Sequence, residues 1–160
     1  MSAPVPARID AVTINRSMDY IIYASTAVAL LSDNELRDRL ESYRTANLEH
    51  GITGLLMYHD GNWIQYIEGN AVDQLYENIR ADISHKGVIT LDKGGVSDRV
   101  FPDWSMGYQP ENPEDHQTVT AFFDLNKAEI DRRLTREMPR SVRILMSGFY
   151  RLGSRFANRR

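Results

Sequence analysis

The chain contains no cysteine, which excludes disulfides, thiol catalysis and thiolate metal sites together. No unbroken run of about 18 apolar residues is present, the least that spans a bilayer as a helix. Residues 1–18 also lack the basic start and continuous apolar stretch of a secretory signal. A soluble, cytoplasmic protein with no membrane partner is the expectation. Acidic residues are missing after Glu137, whereas Arg140, Arg143, Arg151, Arg155, Arg159 and Arg160 follow it, so with a net charge of -3 overall the first 137 residues carry about -9. An acidic body opposes binding to phosphate backbones, which needs a basic face, and nucleic acid is not an expected partner.

What is present is 160 residues, 42% of them hydrophobic, enough for one domain with a core plus an appendage. Residues 20–25, Tyr-Ile-Ile-Tyr-Ala-Ser, are rich in strand formers and follow a leader over 1–18 that reads as an extension. Ser32 and Glu35 make a capping box, and Leu36, Leu40, Tyr43 and Asn47 then recur at helical spacing. This predicts a helix over about 33–48 that ends at His50-Gly51 and whose inner stripe finishes on a polar residue. Leu55 to Tyr58 and Trp63 to Gly69 form a hairpin about an Asp60-Gly61 turn.

Asn70 and Asp73 are placed to open a second helix, with Val72, Leu75, Tyr76, Ile79 and Ile83 as its buried stripe and its end near His85-Lys86-Gly87. Strands follow over 88–96 and 104–108, then a linker patch at 110–115. One broken or two short helices are expected over 114–137, and a last helix over 140–157 with Val142, Leu145, Phe149, Leu152 and Phe156 as its apolar stripe. Arg151, Arg155 and Arg159 make a basic ridge beside that stripe, read as a solvated face. The fold class expected is α+β: a ferredoxin-like β-α-β-β-α-β-β sheet with parallel neighbours joined by right-handed crossovers and two helices on one face. The C-terminal helices pack on the other face. Domain boundaries follow at 1–18 for the extension, 19–109 for the core domain and 110–160 for a helical cap.

Gln65 stands at the centre of the apolar strand Trp63-Ile64-Gln65-Tyr66-Ile67-Glu68-Gly69, on the face shared by Trp63 and Ile67. A buried amide costs a few kcal/mol unless it is hydrogen-bonded, so a partner must exist. Tyr23 and either Trp104 or Met106 belong to the same face, and Asn47 and Asp82 approach it from the two helices. Polar groups gathered round an apolar slot are what a planar heterocyclic ligand requires.

Over residues 19–109 the chain resembles the BLUF family of blue-light sensors that use FAD. The resemblance is carried by Ile-Ile-Tyr23-Ala-Ser, Asn47-Leu-Glu-His-Gly-Ile-Thr-Gly54, Trp-Ile-Gln65-Tyr-Ile-Glu-Gly69, Asp82 with His85, and Arg99-Val-Phe-Pro-Asp-Trp104-Ser-Met106, all in family order. It implies a flavin ring whose edge is bound by Asn47, with Gln65 between Tyr23 and the ring, Asp82 near the ribityl chain, and Ile79, His85 and Met106 completing the contacts. The photoactive set it implies is Tyr23, Gln65, Trp104 and Met106. Light would drive an electron and a proton out of Tyr23, leave Gln65 rotated or tautomerised so that it donates to the flavin C4 carbonyl, and shift absorption to the red. Ser84 and Asn78 stand where relatives often carry basic residues, so FAD, FMN and riboflavin all stay open as the flavin.

The resemblance further implies a photoreceptor that turns over no substrate, holds no metal, self-associates, and signals through an unidentified protein partner. A second reading is a flavin-free ferredoxin-like module that binds RNA or protein, against which stands the absence of a basic and aromatic RNA-binding pattern on the sheet. A third is a small acyl-phosphate hydrolase on the same fold, but no glycine loop with an arginine is there to cradle a phosphate.

Overall fold

A computed structural model describes residues 17–108 and 121–157, with side chains to Gly153. The leader over 1–16, the linker at 110–115 and the side chains of Arg155, Phe156 and Arg159 lie outside the described residues. In chain order the elements are β1 (Met18–Ala27), α1 (Asp33–Glu49), β2 (Thr53–His59), β3 (Asn62–Gly69), α2 (Val72–Ala81), β4 (His85–Val96), β5 (Trp104–Tyr108), β6 (Phe122–Asp124), α3 (Lys127–Arg133) and α4 (Arg140–Ala157). The capping box opens α1 as expected: the Glu35 N–H donates to Ser32 Oγ at 3.4 Å and the Ser32 N–H to Glu35 Oε2 at 2.9 Å. At the hairpin, Asp60 (φ 46°) and Gly61 (φ 78°) are both left-handed, the two-residue turn whose twist matches that of the flanking strands.

The sheet order is β4-β1-β3-β2-β5-β6. Its first four strands have the ferredoxin-like order, and all three pairs among them are antiparallel. The expected parallel neighbours are therefore not neighbours. The α1 crossover carries the chain from β1 to a parallel β2, but β3, turned back by the tight hairpin, occupies the place between them. Parallel pairing is confined to β2 with β5 and β5 with β6.

Alternation along the strands sorts the core into two layers. Ile21, Tyr23, Leu56, Trp63, Ile67, Trp104 and Met106 pack beneath α1 and α2, against Leu36, Leu40, Val72 and Tyr76. Ile22, Leu55, Met57, Ile64 and Tyr66 pack on the other face, against Ile130 of α3 and Val142 and Met146 of α4. On that second face Glu68 is fully buried and ties the loop before β5 to β3. Its carboxylate accepts from the Phe101 N–H (2.7 Å), the Val100 N–H (2.9 Å) and the Tyr66 hydroxyl (2.9 Å).

Four local expectations are corrected. The helix α2 stops at Ala81, because Asp82 turns extended and its Oδ1 accepts from the Ser84 N–H at 2.8 Å; Ile83 is left 92% exposed and His85 begins β4 instead of ending a helix. The N-cap of α2 is Ala71, with no side-chain cap, so Asn70 does not open it. Within 114–137, residues 122–124 are a strand: Phe122 pairs with Met106, an addition to the sheet edge too short to have a readable period. Leu152 of the α4 stripe is 60% exposed, bordering a groove between α4 and Ile89 of β4, whereas Val142 is buried as expected, Leu145 and Phe149 pack against the core, and Met146 joins them.

Candidate functional site

A slot lies between α1 and α2 above the centre of the sheet. Its floor is Tyr23 of β1, Leu56 of β2, Trp63 and Gln65 of β3, and Trp104 of β5. Asn47 and Tyr43, one helical turn apart, line it from α1; Leu75, Asn78 and Ile79 line it from one face of α2, and Asp82 from the residue that caps its end. His85, first in β4, closes the end beside Asp82. The slot encloses about 150 Å³, room for one aromatic ring. A second cavity of about 360 Å³ shares Tyr43, Trp63 and His85 with it and opens past Arg39.

The structure thus brings together Tyr23, Asn47, Gln65, Ile79, Asp82, His85 and Trp104 from the residues expected in the site. Met106 is fully buried two residues beyond Trp104, packed with Leu36 and Leu40, and does not line the slot. Tyr43, Leu56, Trp63, Leu75 and Asn78 line it without having been expected as site residues. Their signal was periodicity: Trp63 is two before Gln65 on a strand, Tyr43 four before Asn47, Leu75 four before Ile79 and Asn78 four before Asp82 on helices. Only Leu56 needed the register, which sets it directly opposite Gln65.

The Tyr23 hydroxyl donates to Gln65 Oε1, and both residues are almost wholly buried. Burial pushes the Tyr23 phenol far above the ordinary tyrosine range, so it is a neutral O–H donor throughout the working range of pH. At the rim, the Ser84 N–H holds the Asp82 carboxyl below its usual value, so it is charged. Burial pushes His85 down, so at neutral pH its imidazole is uncharged; its Nδ1 lies 3.0 Å from Ser25 Oγ.

Several donors in the wall are unmatched. The Nε1–H groups of Trp63 and Trp104 are buried with no partner among the described residues. The side-chain amides of Asn47 and Gln65 line the slot beside them. Each unsatisfied buried donor costs on the order of 1–3 kcal/mol. A flat ligand with apolar faces and acceptors along its edge offsets that cost, and the isoalloxazine ring of a flavin has that form. Its ring carbonyls and nitrogens fit these donors, and Leu56, Leu75 and Ile79 fit its faces. A tricyclic ring exceeds the enclosed volume, so it extends into the adjoining cavity or parts the walls. Among the described residues no group of three or more His, Asp or Glu could hold a metal ion, and no helix is long and apolar enough to cross a membrane.

Comparison with known proteins agrees with this chemistry. The model of the family described as sensors of blue-light using FAD matches residues 18–107. The photoactivated adenylate cyclase subunit beta of Euglena gracilis is 30% identical over 97 residues, which are 59% of this chain and 11% of that protein. The chain therefore spans about a tenth of the length of the curated relatives it matches. Among solved structures, the dark state of BlrB, a BLUF protein, is 33% identical with a TM-score of 0.52, over 56% of this chain and 70% of that one. BlrP1 of Klebsiella pneumoniae shares the fold at a TM-score of 0.66 and 22% identity, over 87% of this chain and 35% of that one. With the family model spanning more than half of its length, this chain belongs to the BLUF family, sensors of blue light that use FAD.

Proposed function

We propose that the slot between α1 and α2 holds the flavin ring and that light is registered there as a rearrangement of the Tyr23–Gln65 hydrogen bond. The observation that carries this reading is the Tyr23 hydroxyl donating to Gln65 Oε1 at the slot wall, with the Asn47 side-chain amide lining the same slot and the buried Nε1–H groups of Trp63 and Trp104 without a partner among the described residues. Asn47 binds the ring edge, Ile79 covers a ring face, and Asp82 and His85 meet the polar chain that leaves the ring. Bound flavin supplies a light-driven oxidant beside the phenol. The chain's own part is then to move a proton and to choose between two amide orientations.

With its carbonyl toward Tyr23, Gln65 accepts from the phenol; turned about its last torsion, it presents its amino group there and its carbonyl elsewhere. The two orientations exchange one donor for one acceptor without changing covalent structure, which suits a reversible signal. Trp104 lies in the slot wall on β5, two positions before the Met106–Phe122 pairing that joins β6. It is the route by which the rearrangement reaches the C-terminal segment. In this reading residues 19–109 are the sensor and 110–160 the output unit, which turns over no substrate and changes its association with a second copy or a downstream protein.

The test is spectroscopic. Purified protein should be yellow, shift its absorption to the red under blue light and recover in the dark, with altered hydrogen-exchange protection over β5, β6 and α4. A colourless protein after expression with flavin supplied would refute the reading; unchanged protection of α4 would refute the output route alone.

A further inference from the structure

The α1 face that lines the slot continues beyond it. Asn47, Tyr43 and Arg39 follow one another at intervals of four residues, so they form a single line along the helix, from 6% exposure at Asn47 to 38% at Tyr43 to an exposed Arg39. Eight residues of helix span about 12 Å. Arg39 thus stands about that far from the group at the ring edge, on the wall of the second cavity, which it shares with Tyr43, Ser84 and His85.

The charges at this mouth are uneven. From the end of α2 comes the carboxylate of its cap residue Asp82, which repels an anion leaving the slot. Arg80 is engaged with Glu77 at 3.4 Å and lies over the Tyr76 ring, 6.0 Å from its centroid. Lys86 lines neither cavity, and His85 is uncharged. Asn78 and Ser84, which line the two cavities from the other side, carry no charge. Among the described residues Arg39 makes no ion pair; its guanidinium is hydrogen-bonded with the Tyr43 hydroxyl, and its charge is felt at Asp82 and His85.

Resting on the reading that the ring occupies the slot, we propose that Arg39 is the anchor for the phosphate end of the flavin, and that it makes the protein prefer FMN and FAD to riboflavin. A guanidinium offers two parallel N–H donors to a phosphate, and this one is held by no carboxylate among the described residues, only by its hydrogen bond with the Tyr43 hydroxyl. The position explains how a chain whose α2 side lines neither cavity with an arginine or lysine holds a phosphorylated chain: the cation comes from α1, across the mouth.

The experiment is a fluorescence titration of apoprotein with riboflavin, FMN and FAD, comparing the unmodified chain with Arg39→Gln, Arg39→Lys and Lys86→Gln. Arg39→Gln should weaken FMN and FAD about tenfold and leave riboflavin unchanged. Arg39→Lys should retain most of the preference, Lys86→Gln all of it, and the preference should shrink as salt is raised. An unchanged ratio of FMN to riboflavin affinity in Arg39→Gln overturns the assignment, as does equal weakening of all three ligands, which would mean that Arg39 acts on slot shape. If none of the three flavins binds the unmodified chain, the slot does not hold the ring, and the proposed function falls before Arg39 is at issue.

Discussion

Tyr23 and Gln65 are directly opposed residues of neighbouring antiparallel strands, so the phenol and the amide meet because the β1–β3 register puts them face to face. A slip of one residue would send one of them to the α4 face. The pair is held from below by Ile22, Ile64 and Tyr66, which are fully or almost fully buried on that other face.

Gln65→Leu should keep the yellow colour and lose the reversible red shift, because leucine preserves the wall but has neither a donor nor an acceptor to exchange. Tyr23→Phe should likewise bind flavin and lose the photocycle, through loss of the hydroxyl that donates to Oε1. Light-minus-dark spectra decide both. A normal, dark-reversible shift in Gln65→Leu would remove the amide from the mechanism.

Glu68→Ala should destabilise the fold by about 3 kcal/mol or more, since the Val100 N–H, the Phe101 N–H and the Tyr66 hydroxyl would all lose a buried acceptor. Glu68→Gln, which keeps one carbonyl oxygen, should cost roughly half as much. Urea unfolding gives the magnitudes, and hydrogen exchange should show the loss concentrated at residues 99–103. A change under about 0.5 kcal/mol would mean the loop is held by Arg99, which donates to Thr53 Oγ1 and the Gly51 carbonyl, each at 2.7 Å.

Gly54→Ala should prevent folding or cost at least about 3 kcal/mol. A Cβ there would lie 1.9 Å from the Tyr66 carbonyl oxygen, on the backbone of the paired strand, which cannot yield without separating β2 from β3. Soluble yield and the thermal midpoint report it; a variant melting with the unmodified chain would show that the strands part more easily than their packing implies.

Stability should fall as the pH rises past about 10. Burial pushes Tyr23 and Tyr66 far above the ordinary tyrosine value, so the folded chain keeps two protons that the unfolded chain releases. The unfolded state then binds fewer protons, and each tyrosine removes about 1.4 kcal/mol per pH unit above that point. Below it both states hold the protons and the slope vanishes. Denaturation midpoints between about pH 8 and 11 should show this limb, and Tyr66→Phe should roughly halve its steepness.

Much of the fold was legible where a period was long enough to be read. The Ser32–Glu35 box and the four-residue recurrence through Asn47 predict α1 nearly to the residue, and Asp60-Gly61 predicts the hairpin, because both signals are local. The end of α2 was not legible: Ile83 continues the apolar period, and what stops the helix is a side-chain-to-backbone bond at Asp82 that competes with it. Three-residue β6 carries no period, and its pairing with β5 depends on a neighbour some sixteen positions earlier in the chain.

By itself the sequence determined the chemistry of the site: a strand-centre glutamine, a tyrosine two positions into an apolar run and an asparagine closing a helical stripe, each on a face dictated by local periodicity. The tertiary structure decided which of these groups meet. It set Tyr23 opposite Gln65, put Trp104 in the slot wall with Met106 behind it, and carried Arg39 to the mouth of the neighbouring cavity. The physical reason is one of range. Periodicity acts over a turn or a pleat and assigns a face, whereas register, crossover and the closing of helices over a sheet are set by contacts between residues tens of positions apart.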